Sequence, residues 1–340
     1  MEENEDNTPN EFPIAPQTAP ESFSVSVWGF DTADRASRYA EIIGAYVRGL
    51  SSLFDLSSLD GITIAFDYRQ ALLDVDLGIP TTRQLAPSDG NVVGVAITPS
   101  VLREGKVKSH IVLNAAYVIG LEDSPSGDHF NFALHLLAHE CAHVDATHHF
   151  DRAFPGMLLQ SSASDVYQAL RWRIIQVCWD EYAATYLSKD IGRNPVRDYE
   201  ETFLLALEET RKAANNAIRL YRWHADAPRV LEEVYGAYGN LMKFACYFLG
   251  NMAGTGVGLD DLPNTRAALE DHWFAPYFAR LDDICRRLGE DYGAWSDQKT
   301  FEELGDCADA IAAEGGIIVR HTAAGGVYVD VPFSQPTMPF

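Results

Sequence analysis

NFALHLLAHECAHVDATH, residues 131–148, sets His139, Glu140 and His143 in a run whose other members are mostly apolar. Side chains four apart share one face of an α-helix, so a helix here aims the imidazoles of His139 and His143 at a common point. Glu140 lies one residue round, within reach of a water held at that point. Phe132, Leu136, Ala142 and Ala146 fall three or seven residues from His139 and give the same side a surface to bury. The two alanines leave space for a neighbouring element to come close. A helix with two merely packed or solvated histidines is the plain alternative, but Leu136, Leu137, Ala138 and Ala142 make a poor solvent-facing surface.

A histidine pair with an intervening glutamate is a pattern of metal-assisted hydrolysis, and a catalytic zinc takes three protein ligands with one position left for water. The third ligand must come from downstream. Glu181 is the favoured residue: its helical neighbours Ile174, Val177, Cys178, Ala184, Thr185 and Ser188 form an uncharged stripe. A carboxylate centred there is buried and needs a cation. His149 is the alternative, six residues after His143 as in the metzincin pattern, but Ala146 stands where that pattern leaves the helix through glycine. Asp180 competes less well, because Arg173 and Gln176 on its own stripe offer it a salt bridge or hydrogen bond. His135 is expected to be packed or to support a ligand, Asp145 to point to another face and be solvated or support a ligand, and Cys141 to be core.

Outward from this segment the chain changes character. Residues 1–21 are acidic and proline-rich, unlike a signal peptide, and are expected to be a mobile tail. Phe23, Val25 and Val27 alternate with Ser24, Ser26 and Trp28, which predicts a strand, and residues 32–54 have helical spacing. The β-rich runs 61–66, 91–98 and 109–118 follow, with 99–108 as a turn or short connection, and two or three of them are expected to pair antiparallel. A second long helix is expected over 164–187, opened by a serine and aspartate cluster. Helices are predicted over 199–223, 227–252, 265–289 and 299–314, with the clearest break at 253–258. The runs 316–321 and 326–331 predict a hairpin that adds to the core sheet, followed by a tail that could instead enter the cleft or bind a partner. The expected class is α+β, a small mixed sheet on the helix of the histidine pair followed by a largely helical region. The expected divisions are a tail (1–21), a catalytic core (22–198), a helical region (199–315) and a hairpin with tail (316–340).

Acidic residues number 49 against 26 basic ones, a formal charge of −23, which disfavours nucleic acid and anionic membranes as partners. No run approaches the roughly 20 apolar residues that span a bilayer. Five widely spaced cysteines suggest reduced, buried thiols, and a cytoplasmic setting is expected.

With His139 and His143 one turn apart, Glu140 between them and Glu181 on a later helix, residues 23–190 resemble the zincin metallopeptidases of the gluzincin type. The resemblance implies a zinc cofactor held by His139, His143 and Glu181, Glu140 as general base, and a peptide or protein substrate. It also implies a mixed sheet leading into the active-site helix, whose edge strand, 91–98 or 109–118 here, pairs with extended substrate. Many gluzincins carry an aspartate four residues after the ligand glutamate, where this chain has Thr185. A weaker likeness is to intracellular ImmA/IrrE-type peptidases, which implies limited cleavage of a specific partner. The alternatives are a zinc amidase acting on a non-protein substrate and an inactive metal-binding interaction module. Tyr182, Tyr186, His224 and His272 are the residues considered for a donor to the developing oxyanion.

Overall fold

Valine and isoleucine on alternate positions build the parallel centre of a five-stranded sheet, in which Val25 pairs with Ile62 and Ile62 in turn with Ile111. The computed structural model describes residues 16–81, 84–87, 94–322 and 326–338. Strand β1 (Ser24–Trp28) leads through helix α1 (Ala33–Leu50) to β2 (Leu59–Ala65), a parallel neighbour, and a short α2 (Tyr68–Leu73) follows. Strands β3 (Ala96–Ile97) and β4 (Ser100–Arg103) both pair antiparallel with β5 (Lys106–Asn114), which lies parallel to β2.

The mixed sheet was expected, and two of the three expected runs, 91–98 and 109–118, pair antiparallel through β3 and β5. The runs 61–66 and 109–118 are parallel neighbours, and β3 and β4, which lie between them in the chain, pair antiparallel with β5. The segment 99–108 is largely strand, not connection. Its turn is the pair Glu104 (φ 51) and Gly105 (φ 77), and two successive left-handed residues match the twist of a two-residue hairpin. Residues 115–118 are the short helix α3 (Ala115–Val118), capped by the side chain of Asn114. Residues 91–93 of the expected edge strand lie outside the described residues.

Helix α4 (Asp128–Ala153) carries the histidine pair and is longer at both ends than its motif. Ala138, Cys141 and Ala142 pack with Tyr39, Ile43, Ile62 and Ile111 in one core, whereas Ala146 and Phe150 belong to a second core built from the later helices. Those are α5 (Val166–Leu187), α6 (Val196–His224), α7 (Ala227–Thr255), α8 (Pro263–Leu269), α9 (Ala275–Glu290) and α10 (Lys299–Glu314). The expected single helix over 265–289 is two, divided at residues 270–274, where Asp271 takes a left-handed φ of 55°. Helices α5 and α7 approach so closely that a Cβ on Gly250 would meet the carbonyl oxygen of Tyr182 at 2.2 Å and Thr185 Oγ1 at 2.3 Å.

The C-terminal hairpin, β6 (Ile318–His321) and β7 (Val327–Asp330), forms its own two-stranded sheet and does not extend the core sheet. Its apolar residues Val319, Val327 and Val329 pack on the helical core instead. After it, Arg222 of α6 donates to the carbonyls of Val331 and Pro332 (both 2.7 Å), with its guanidinium 4.1 Å from the Phe333 ring. The described part of the tail therefore lies along α6. Residues 1–15 of the expected N-terminal tail are outside the described residues. The part from 16 on is engaged: Thr18 N donates to the carbonyl of Ser51 (3.1 Å), and Thr18 Oγ1 accepts from Leu56 N (2.9 Å), beside the end of α1. The architecture is α+β, all five cysteines are unpaired and buried, and no helix among the described residues is long and apolar enough to cross a membrane.

Candidate metal centre

Helices α4 and α5 bring three side chains to one point. Nε2 of His139 and Nε2 of His143 are 3.0 Å apart, and Oε2 of Glu181 lies 3.6 Å from the first and 3.4 Å from the second. His139 and His143 are buried, and the Glu181 side chain is 12% exposed. Among the described residues this is the group of histidine, cysteine and acidic side chains placed to hold a metal ion. Glu181 Oε2 is buried without a hydrogen-bond partner, an arrangement that a cation would relieve.

The electrostatics of the bare cluster point the same way. Burial works to raise the Glu181 carboxyl, yet the imidazoles of His143 and His139 hold it well below the usual carboxylate range. Burial likewise works to lower His143, and the carboxylates of Asp180 and Glu181 outweigh it, so its imidazolium persists well above its ordinary pH. In the absence of a metal, protons supply the positive charge that the buried carboxylate requires.

Asp180 has a different partner from the one its sequence neighbours suggested. Arg173 pairs with Glu232, and Asp180 Oδ2 lies 2.9 Å from Nδ1 of His143, on the ring edge opposite the cluster, although off the line of the N–H bond. A carboxylate behind a metal-binding imidazole fixes the ring and raises its basicity. Thr185, which stands where many gluzincins have aspartate, turns back along α5, its hydroxyl donating to the carbonyl of Glu181 (2.9 Å), and it faces Gly250.

Glu140, also buried, is beside the cluster and not in it. Its Oε2 accepts from Thr98 Oγ1 at 2.7 Å, so the residue just past β3 tethers one carboxylate oxygen. Together with His139 and Glu181 it lines a cleft of about 450 Å³ that runs past Gly94, Val95, Ala96 and Ile97 on one wall and Tyr199, Phe244 and Tyr247 on the other. Of the two runs considered for the edge strand, 91–98 holds that edge, through β3; β5 is interior, with β2 on one side and β3 and β4 on the other.

His149 is not brought to the cluster. Its Nε2 is 3.7 Å from Asp145, and its ring packs edge-on against Tyr292. Asp145 is buried and not solvated: it accepts from the backbone N of Asp55 (2.6 Å) and from the Tyr292 hydroxyl, a structural tie between α4 and two loops. His135 donates from Nδ1 to the carbonyl of Ile191 (3.1 Å) and accepts at Nε2 from Tyr199 (3.3 Å). Burial, with His139 nearby, lowers its pKa to about 4, so it is a satisfied neutral histidine.

None of the four residues considered as oxyanion donors lines this cleft. Tyr182 and Tyr186 border a separate hollow on the far side of α5. His224 accepts at Nδ1 from the N of Asp226, and His272 at Nδ1 from the N of Phe274, at helix ends away from the centre. Tyr247 of α7 does line the cleft, and its ring stacks on His139 with centroids 5.6 Å apart. Burial and the Glu181 carboxylate raise its hydroxyl well above the ordinary value, so it stays a donor. Nothing local to Tyr247 sets it apart from the other tyrosines in the sequence; the helix packing that selects it is long-range. Compared with protein-family models, curated proteins and solved structures, the chain gives no match.

Proposed function

We propose that this chain is a zinc-dependent metallopeptidase of gluzincin-like site design, with His139, His143 and Glu181 as ligands and Glu140 as general base. The observation that carries the reading is the triangle of Nε2, Nε2 and Oε2 atoms with edges of 3.0, 3.4 and 3.6 Å, whose carboxylate corner is buried without a hydrogen bond. Zinc bonds to nitrogen and oxygen of about 2.0–2.2 Å in a tetrahedron make donor-to-donor edges of roughly 3.3 Å, so the donors already stand at zinc spacing. Two neutral imidazoles and one carboxylate are also a borderline donor set that suits zinc better than calcium or magnesium.

A zinc ion in this set supplies Lewis acidity and lowers the pKa of water from 15.7 to about 7. The chain's own groups do the rest. Glu140 keeps Oε2 on Thr98 and has Oε1 to take a proton from the attacking water and hand it to the departing amine. Tyr247 offers a neutral hydroxyl to the oxygen on which charge develops. His135 holds Tyr199 in the wall beneath. The edge position of β3 among the described strands favours an extended peptide over a compact amide, because an edge strand can pair with a strand of substrate.

The test is Glu140→Gln. The variant should bind zinc in the same ratio as the unaltered chain and lose about 100-fold or more in hydrolysis of a peptide panel, the range set by general-base catalysis. Equal hydrolysis by the two proteins would remove Glu140 from the reaction, and zinc binding with no hydrolysis by either would leave a metal-binding module.

A further inference from the structure

The ionisable groups of the cleft do not balance. Among its described lining residues, Glu140 and Glu181 offset a divalent ion, and Arg193 is ion-paired with Asp198. Lys243 remains. No carboxylate among the described residues lies within ion-pair distance of it, and its ammonium rests 4.4 Å over the ring of Phe244. The other walls, from Tyr68, Pro87, Val95, Ile97, Leu136 and Val177, offer it no anion. Lys243 is a half-buried lysine beside apolar walls, in a chain of charge −23, whose charge has no carboxylate partner among the described residues.

Its position gives the distance. Lys243 is one turn of α7 before Tyr247, which stacks on His139, so the two Cα atoms are about 6 Å apart along the helix. An extended peptide advances about 3.3 Å per residue. We propose that Lys243 receives a substrate carboxylate, so that peptides bearing Asp or Glu within about two residues of the reacting amide are the preferred class. This deepens the metallopeptidase reading and rests on it.

The experiment separates the two. The zinc-loaded Glu140→Gln protein is mixed at low salt with a terminally blocked octapeptide library with Leu at one central position and Asp, Glu, Asn, Gln, Ala and Lys at the others, and captured peptides are sequenced by mass spectrometry. Asp and Glu should exceed Asn and Gln by about tenfold, as for a charge-assisted hydrogen bond. Adding Lys243→Gln should erase that excess, and Lys243→Glu should turn it toward Lys. Equal capture of acids and amides, or an excess that survives both Lys243 variants, overturns the proposal. The same library is offered to the unaltered chain for cleavage. Acid-selective capture without cleavage keeps the Lys243 site and sinks the peptidase; cleavage with no acidic preference does the reverse; neither capture nor cleavage overturns both.

Discussion

Replacing Glu181 by Gln keeps the shape of the third ligand and removes its charge. Loss of a partner that merely supports a ligand costs roughly 10- to 100-fold in metal affinity, so loss of a charged ligand should cost more than about 100-fold. At a free zinc concentration 100 times its dissociation constant, the unaltered chain gains about 2.7 kcal/mol of stability. The variant, then at or below half-saturation, gains at most about 0.4 kcal/mol. At about 2 °C per kcal/mol for a chain of this size, zinc should raise the melting temperature by about 5 °C in the unaltered protein and by under about 1 °C in Glu181→Gln. Differential scanning calorimetry with and without zinc, with metal content measured on the same samples, reads this directly. His149→Ala is the control and should keep the full shift, because its ring packs on Tyr292 away from the cluster. A full shift in Glu181→Gln and none in His149→Ala would refute the ligand set.

Three further outcomes follow from the surroundings. Asp180→Asn, which removes the carboxylate 2.9 Å behind His143, should weaken zinc about 10- to 100-fold in a chelator competition; unchanged affinity would make the contact incidental. His135 has a folded pKa of about 4, below its ordinary 6.5, so the unfolded chain takes up a proton that the folded chain refuses between those values. Its contribution is complete above about pH 6.5 and falls by about 3 kcal/mol toward pH 4, and His135→Asn should flatten that part of the pH dependence in urea unfolding. An identical slope in the variant would count against the buried neutral imidazole. Gly250→Ala would press a methyl group against backbone of α5 and should cost about 2–3 kcal/mol by the same method; a loss under about 0.5 kcal/mol would mean that the helices part easily.

The buried His139, His143 and Glu181 cluster was legible because each member lies on a face that local periodicity predicts: four-residue spacing for His139 and His143, an uncharged helical stripe for Glu181. The class and most helices follow from the same signal. Periodicity says nothing of what lies across an interface. Asp180 was assigned to its own helix, when its partner, His143, is on the helix opposite. Tyr247 and Thr98 reach the centre only through packing of α7 on α5 and the placing of β3 beside α4, and no short-range pattern marks either. The antiparallel pairing of 91–98 with 109–118 was legible, whereas the parallel pairing of β2 with β5 was not, because it is set by the whole path of the chain between them. The hairpin was recognised from its glycines and valines, which carry no address for the surface that will receive them.

The two histidines ride on α4 and the glutamate on α5, so the triangle is a calliper closed on the spacing between two helices. Metal bonds tolerate about 0.2 Å, far less than the slack of side chains sliding over one another in a core. A substitution anywhere along the α4–α5 seam that moves the helices apart by 1 Å would leave every residue of the motif in place and open the jaws. On the proposed reading, the affinity for the ion would report how well two hydrophobic cores, both of which α4 and α5 share, hold those helices at their distance.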